Sequence, residues 1–390
     1  MTCPPDILLL PEEELLISLC RSLQERNIPE PGGDINWDNF VRIANENGVL
    51  ALSLHNLLQS GHLSRIPVRT LETMQTGYYK SMARNAFLYD NLGEIAALAA
   101  TGNIVIVLLK GIALDKAAYG NKGLRQMNDI DILVRREDAI PLRKLLFANG
   151  FRSMPIISPL HERILPSYGK HLPEMDKGGI VAEIHFRLFD RNDPMLTGRF
   201  IASSAAMPGE SYRILFPDPL MHFLYLVKHL DLHERNGNSQ LRLYADLAIL
   251  ISAYPDSILI PELFELADQA GISRALSEKL YILEIFWKIE IPPDPGSGIA
   301  DIDHEKVVSR FLGFLRDPSE GVPGDGPESL LSPLKDLRGI KHKLMFLAGY
   351  LFPSVEFMKY RYRSGSSAGA IFYYPVRWFK MIRLLLGGRL

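Results

Sequence analysis

The chain has 390 residues, 47% of them hydrophobic and 23% charged, with a formal net charge of −2. That length and apolar content suit a large core and two or three domains, and the near-balance of charge excludes a general attraction to nucleic acid while leaving room for a local basic patch. The two cysteines, Cys3 and Cys20, exclude a disulfide framework and fit a reducing compartment; lacking Cys-x-x-Cys spacing, they read as ordinary thiols.

The N-terminal stretch MTCPPDILLLPEEELL lacks the basic start and long apolar run of a secretion signal. No apolar run reaches the roughly 18 residues of a spanning helix, because Lys110 interrupts the longest, IVIVLLKGIAL. A soluble, cytoplasmic protein is expected. PEEELLISLCRSLQ begins with Pro and acidic residues, as first helical turns prefer. WDNFVRIANENG, LALSLHNLLQSG with Gly61 as its C-terminal cap, and a long segment from Val68 to about Ala100 continue the helical pattern. Residues 1–100 therefore read as a helical region whose last helix packs on the core that comes next in the chain, and His55 as a packed histidine.

Ile104–Leu109 is a short continuous apolar run, the pattern of a buried strand. A Lys110–Gly111 turn, a helix-like segment and a Gly-rich loop lead to a second strand, NDIDILV. There Asp129 and Asp131 share one face while Ile130, Ile132 and Val134 share the other. REDAIPLRKLLFANGF reads as a helix closed by Gly150. SYGKHLPEM and GIVAEIHFRLF read as a hairpin turning around Asp176–Gly179, with Val181, Glu183 and His185 on one face of its second strand. Residues 101–215 thus form an α/β core with a mixed sheet, and the fold class expected is α+β, with helical regions on both sides.

Beyond Phe216 the helical period returns in DPLMHFLYLVKHLDLHERN, LRLYADLAILISAY and PELFELADQAGISRALSEKLYILEIFWKI, giving a helical region over 216–291. Residues 292–333, rich in Pro, Gly and Asp, read as a linker or loop, and 334–390 as a C-terminal helical segment. Its last part, YYPVRWFKMIRLLLGGRL, mixes aromatics with basic residues. Such a helix suits packing against another domain or resting on a membrane surface.

Asp129, Asp131 and Glu183 are the constellation with chemistry in it. Like charges about 4 Å apart repel by roughly 4 kcal/mol at an effective dielectric near 20, so gathering three makes sense when cations sit among them. Hard oxygen donors suit magnesium or manganese, and two such ions promote in-line displacement at phosphorus. The Lys110–Gly111 turn adds a close backbone approach and a point charge for a phosphate. His185 shares the face of Glu183 and either orients it or simply packs. His222, His229 and Asp246 lie on amphipathic helices, as a buried polar network or as part of an acceptor pocket.

LLKGIAL, LRQMNDIDILV and VAEIHFRL together resemble the DNA-polymerase-β-type nucleotidyltransferase superfamily, and within it an uncharacterised bacterial family with Lys-Gly at the turn, Arg four residues before Asp-x-Asp, and an acidic-x-His strand. The resemblance runs from about Val68 to Leu250. It implies magnesium or manganese bound by Asp129, Asp131 and Glu183, and a nucleoside triphosphate substrate held by Lys110, Gly111 and Arg125. It further implies transfer of a nucleoside monophosphate to a hydroxyl acceptor that the sequence does not identify. The family's usual Gly-Ser turn is here Gly111-Ile112, without the hydroxyl. Two other readings are compatible with these motifs: a toxin-like transferase acting on tRNA or protein, and a catalytically idle nucleotide-binding or scaffold protein.

Overall fold

The computed structural model describes residues 9–23, 28–32, 34–120, 123–190, 193–207, 214–291, 302–318, 334, 337 and 339–385, with side chains to 379. It is an α+β protein with one open six-stranded sheet. The strands are β1 (Ile106–Leu108), β2 (Asp129–Leu133), β3 (Arg152–Ser153), β4 (Met175–Lys177), β5 (Ile180–His185) and β6 (Ile214–Leu215), in the order β3-β4-β5-β2-β1-β6. The sheet is mixed, since β1 and β6 pair parallel while β3, β4 and β5 pair antiparallel.

Two compact units divide the chain. The first comprises residues 1–97, 105–131 and 188–323, and the second 98–104, 132–187 and 324–390, so the boundary falls within β2.

In the first unit, α1 (Pro11–Leu19) starts at Pro11, and Glu13 reaches back to accept the Leu10 N–H at 3.0 Å. Asn36 caps α2 (Trp37–Glu46) by accepting from the Asn39 N–H. α3 (Leu50–Gln59) ends before Gly61, whose positive φ of 77° suits glycine. Then come α4 (Val68–Thr101), which takes in the apolar period expected from Val68 onward, and α5 (Lys110–Leu114), prolonged by a wide turn over Asp115–Tyr119. α9 (Pro219–Arg235), capped by Asp218, and α10 (Leu241–Ala253) bury almost every apolar side chain they carry. Their interior also holds charge: Lys279 is fully buried, with its ammonium 2.8 Å from the Glu234 carboxylate, and Tyr244 donates its hydroxyl to the same group. A buried ammonium is tolerable only when its donors are met in this way.

In the second unit, α6 (Arg136–Ala148) closes at Gly150, φ 93°. α7 (Pro159–Tyr168) lies against the helix Ile340–Leu351 through Ile164, Leu337 and Phe346. The approach is close enough that a Cβ on Gly349 would stand 2.4 Å from Ser158 Oγ, so only glycine fits there.

Four expectations need correction. The hairpin turns at Gly178–Gly179, both with positive φ and within the stretch expected, but its first strand is only Met175–Lys177, and Tyr168 ends a helix, so SYGKHLPEM is not one strand. The segment PELFELADQAGISRALSEKLYILEIFWKI is two helices, α12 (Pro261–Ala270) and α13 (Ser273–Ile282), because Gly271 adopts φ 70° and stops the first. A capped helix, α14 (His304–Arg316), occupies part of the stretch expected as linker, its amphipathic period outweighing the Pro and Gly around it; residues 292–301 and 319–333 lie outside the described residues. α1 stops at Leu19, short of Gln24, where the buried Cys20 carbonyl accepts from Trp287 Nε1 instead. Burial pushes the Cys20 thiol up to about 12, which makes it inert at neutral pH; Cys3 lies outside the described residues.

Candidate metal and nucleotide site

The centre of the sheet is where charge meets the apolar core. Ile130 and Ile132 are fully buried on one face of β2, which leaves Asp129 and Asp131 together on the other, Asp131 at 2% exposure. Leu109 N–H donates to the Asp131 carbonyl at 3.0 Å, and Val134 N–H to the His185 carbonyl at 3.0 Å. These two bonds hold the end of β1 and the end of β5 in register with β2.

On β5, Ile180, Ala182 and Ile184 are buried, while Glu183 and His185 share the opposite face. His185 Nε2 lies 3.0 Å from Glu183 Oε2, so in this arrangement the ring donates to the carboxylate. Asp131, Glu183 and His185 each offer one ligand atom, and the three atoms lie within 4.8 Å of one another. Asp129 is not a member of that grouping. Two carboxylates and an imidazole at this spacing form a donor set suited to a divalent cation, the oxygens favouring magnesium or manganese and the nitrogen widening the choice. His171 stands beside the set, bridged by backbone to His185 with the rings 5.3 Å apart.

The turn after β1 supplies a cation of its own. Lys110 Nζ lies 2.8 Å from Asp131 Oδ1. Its backbone takes φ 47°, a left-handed conformation that costs a non-glycine residue on the order of 1 kcal/mol or more and is typical of functional turns. Gly111 also has a packing role within the chain. A Cβ there would stand 2.1 Å from Arg125 Nη1, so the residue makes room for a guanidinium of the same chain. Ile112, at the place of the usual hydroxyl, is buried in the core.

Arg125 is committed elsewhere. Its Nε and Nη2 hold Asp246 at 2.9 and 2.7 Å in a two-pronged pair, and Tyr119 donates its hydroxyl to the same carboxylate at 2.9 Å. Asn85, on α4, donates to the Arg125 carbonyl at 2.8 Å. Burial opposes the charge on Arg125, but Asp246 outweighs it and raises the pKa; burial and the Asp246 charge both raise that of Tyr119. Arg125 was expected on phosphates; in the structure its guanidinium donates to Asp246, on α10, and through Nη1 to the Gln126 carbonyl. Asp246 accordingly belongs to a buried polar network. Arg242 joins its edge, donating to the Gln126 carbonyl, with its pKa lowered to about 10 by burial and by Arg125. His229 stacks on Tyr225 and lies edge-on to His233.

His222 is fully enclosed and feels the Arg125 charge; burial first, then Arg125, lowers it from 6.5 to about 3. The folded protein therefore binds fewer protons at this ring than the unfolded chain does between those two values. Stability is full above about pH 6.5 and is lost as pH falls toward 3, by up to about 1.4 kcal/mol per pH unit. His222→Leu is expected to flatten this slope. Unfolding midpoints in urea, measured for both proteins from neutral pH down to pH 4, check it; parallel curves would overturn the assignment.

Tyr119, Arg242 and His171 carried no signal in the sequence. Tyr119 precedes a glycine in a loop-like stretch, Arg242 sits in an ordinary amphipathic helix, and His171 lies between a helix and a strand. Each becomes part of a polar cluster only through a partner distant in the chain.

A protein-family model described as "uncharacterised nucleotidyltransferase" matches residues 33–288. No curated protein matches the chain. The matched span takes in all six strands, the Asp131, Glu183 and His185 donors, and the Arg125–Asp246 pair.

Proposed function

The chain belongs to the uncharacterised nucleotidyltransferase family, and from that premise we propose that it transfers a nucleoside monophosphate from a nucleoside triphosphate to a hydroxyl acceptor with the help of magnesium or manganese. The observation that carries this reading is the donor set of Asp131, Glu183 and His185 within 4.8 Å, beside the Lys110–Gly111 turn. In the reaction proposed, the acceptor oxygen attacks the α-phosphorus, its proton leaves to a base, and pyrophosphate departs with the electron pair of the broken P–O bond. Bound divalent ions would supply charge neutralisation at the phosphates and acidify the acceptor hydroxyl.

The chain's own residues have distinct tasks in this scheme. Asp131 and Glu183 hold the cation, and Asp129, two residues away on the same face of β2, completes the acidic surface. His185 keeps the Glu183 carboxylate from rotating by donating to it. Lys110 neutralises Asp131 in the resting protein, and the same ammonium is available to a phosphate oxygen once a cation takes its place on the carboxylate. Arg125 acts through Gly111, supporting the turn rather than touching substrate.

Nucleoside triphosphates labelled on the α-phosphate, incubated with the protein, cell extract and magnesium or manganese, are expected to pass label to an acceptor. Transfer from a γ-labelled nucleotide with none from the α-labelled one would point to kinase chemistry and count against this reading. One observation favours a catalytically idle protein as the second reading: Ile112 is packed into the core where the superfamily's usual turn carries a hydroxyl. Calorimetry separates the two, since an idle protein binds manganese and nucleotide without releasing pyrophosphate.

A further inference from the structure

We propose that the C-terminal helices, residues 340–385, dock on the surface of an anionic lipid bilayer. The helix Ile340–Leu351 packs inward through Phe346 and Gly349, yet its outward face is apolar as well. Ile340, Leu344, Leu347 and Leu351 succeed one another at helical spacing and are all exposed, Ile340 at 73% and Leu344 at 58%. A second apolar row is formed by Phe372, Val376 and Phe379, at 80%, 43% and 69%, the last two on the helix Tyr373–Leu385. The two rows belong to neighbouring helices, because Trp378 Nε1 donates to the Leu351 carbonyl at 2.7 Å and Arg377 to the Tyr350 carbonyl. Phe352, also exposed, lies edge-on to Trp378. Soluble surfaces rarely gather large apolar side chains in this way without a partner.

Charge selects the partner. From residue 340 to 390 the sequence has nine Lys and Arg against the single acidic residue Glu356, a formal +8 in a chain whose total is −2. A second copy of this face would bring two such charges together, which opposes self-association. Nucleic acid would satisfy the charge and leave Phe, Leu and Ile in water. An anionic bilayer accepts both, the apolar rows entering the acyl boundary while Lys and Arg remain among the headgroups. Among the described residues no helix is long and apolar enough to cross a membrane, so the contact is with one surface. This inference does not rest on the proposed reaction.

The test is co-sedimentation of the full chain with vesicles of phosphatidylcholine alone and of phosphatidylcholine mixed with phosphatidylglycerol. Binding at least about tenfold tighter to the mixed vesicles, weakening as salt rises, is expected. The double substitution F372S/F379S is expected to weaken it about tenfold, and K341E/K343E to weaken it for mixed vesicles alone. F372S/F379S changes exposed positions and K341E/K343E one exposed and one half-buried position, and an unchanged thermal midpoint verifies that each is folded. No binding to mixed vesicles at low salt overturns the proposal, as does binding indifferent to both substitutions. A dimer in sedimentation velocity that F372S/F379S dissolves, or retention on duplex DNA, each without vesicle binding, would assign the face to those partners and equally overturn it.

Discussion

Asp131→Asn is expected to lower nucleotidyl transfer by at least about a thousandfold, equivalent to roughly 4 kcal/mol of transition-state stabilisation. The substitution keeps the shape of the side chain and removes only its charge. Asp131 is almost fully buried and faces Glu183 and His185 across adjoining strands, so an amide there leaves the cation only the Glu183 carboxylate of the Asp131–Glu183 pair, oriented by His185. Lys110, whose Nζ stands 2.8 Å from Oδ1, still finds a carbonyl oxygen to donate to. Loss of activity should therefore come with little loss of fold. The check is single-turnover transfer from an α-labelled nucleotide, run beside manganese titration by electron paramagnetic resonance. Both signals should fall together; a variant that transfers label at the wild-type rate would remove Asp131 from the reaction, and one that keeps manganese affinity would remove it from the metal.

How much of the site is legible in the sequence depends on the range of the interactions. Alternation along NDIDILV and VAEIHF places Asp129, Asp131, Glu183 and His185 on their faces correctly, because period-two patterning is local and the apolar partners Ile130, Ile132, Ala182 and Ile184 are unambiguous. Local patterning likewise marks α4 and α6. The turn expected around Asp176–Gly179 narrows to Gly178 and Gly179 because these offer two positive-φ positions. α14 is hidden because its amphipathic period is flanked by Pro- and Gly-rich sequence on both sides. Harder to read are Lys110 and Arg125. Nothing in a lysine announces a φ of 47°, and Arg125 finds Asp246 121 residues away. The glycine after Lys110 reads as an opening for phosphate, whereas its missing Cβ is filled by that arginine. A short motif can thus be preserved by packing against a distant helix as well as by its ligand.

That distant pairing has the second large consequence. Asp246→Leu is expected to destabilise the fold by about 3–5 kcal/mol, because it strands the Arg125 guanidinium in a buried position and removes the acceptor of the Tyr119 hydroxyl. Arg125→Met is expected to be costly for the mirror reason, leaving a buried carboxylate that has lost its counter-charge and keeps the Tyr119 hydroxyl as a donor. The double variant R125M/D246L places two apolar side chains of similar size where the ion pair stood, and should be more stable than either single variant. Urea unfolding of the four proteins closes this cycle. Stability and activity should then separate: the double variant recovers stability, but Met cannot reproduce the guanidinium that fills the space over Gly111, so the Lys110 turn loses its support and transfer stays low. If instead the double variant regains both stability and wild-type transfer, the arginine–aspartate pair is a device of folding alone and the turn is held by the strand register between Leu109 and Asp131.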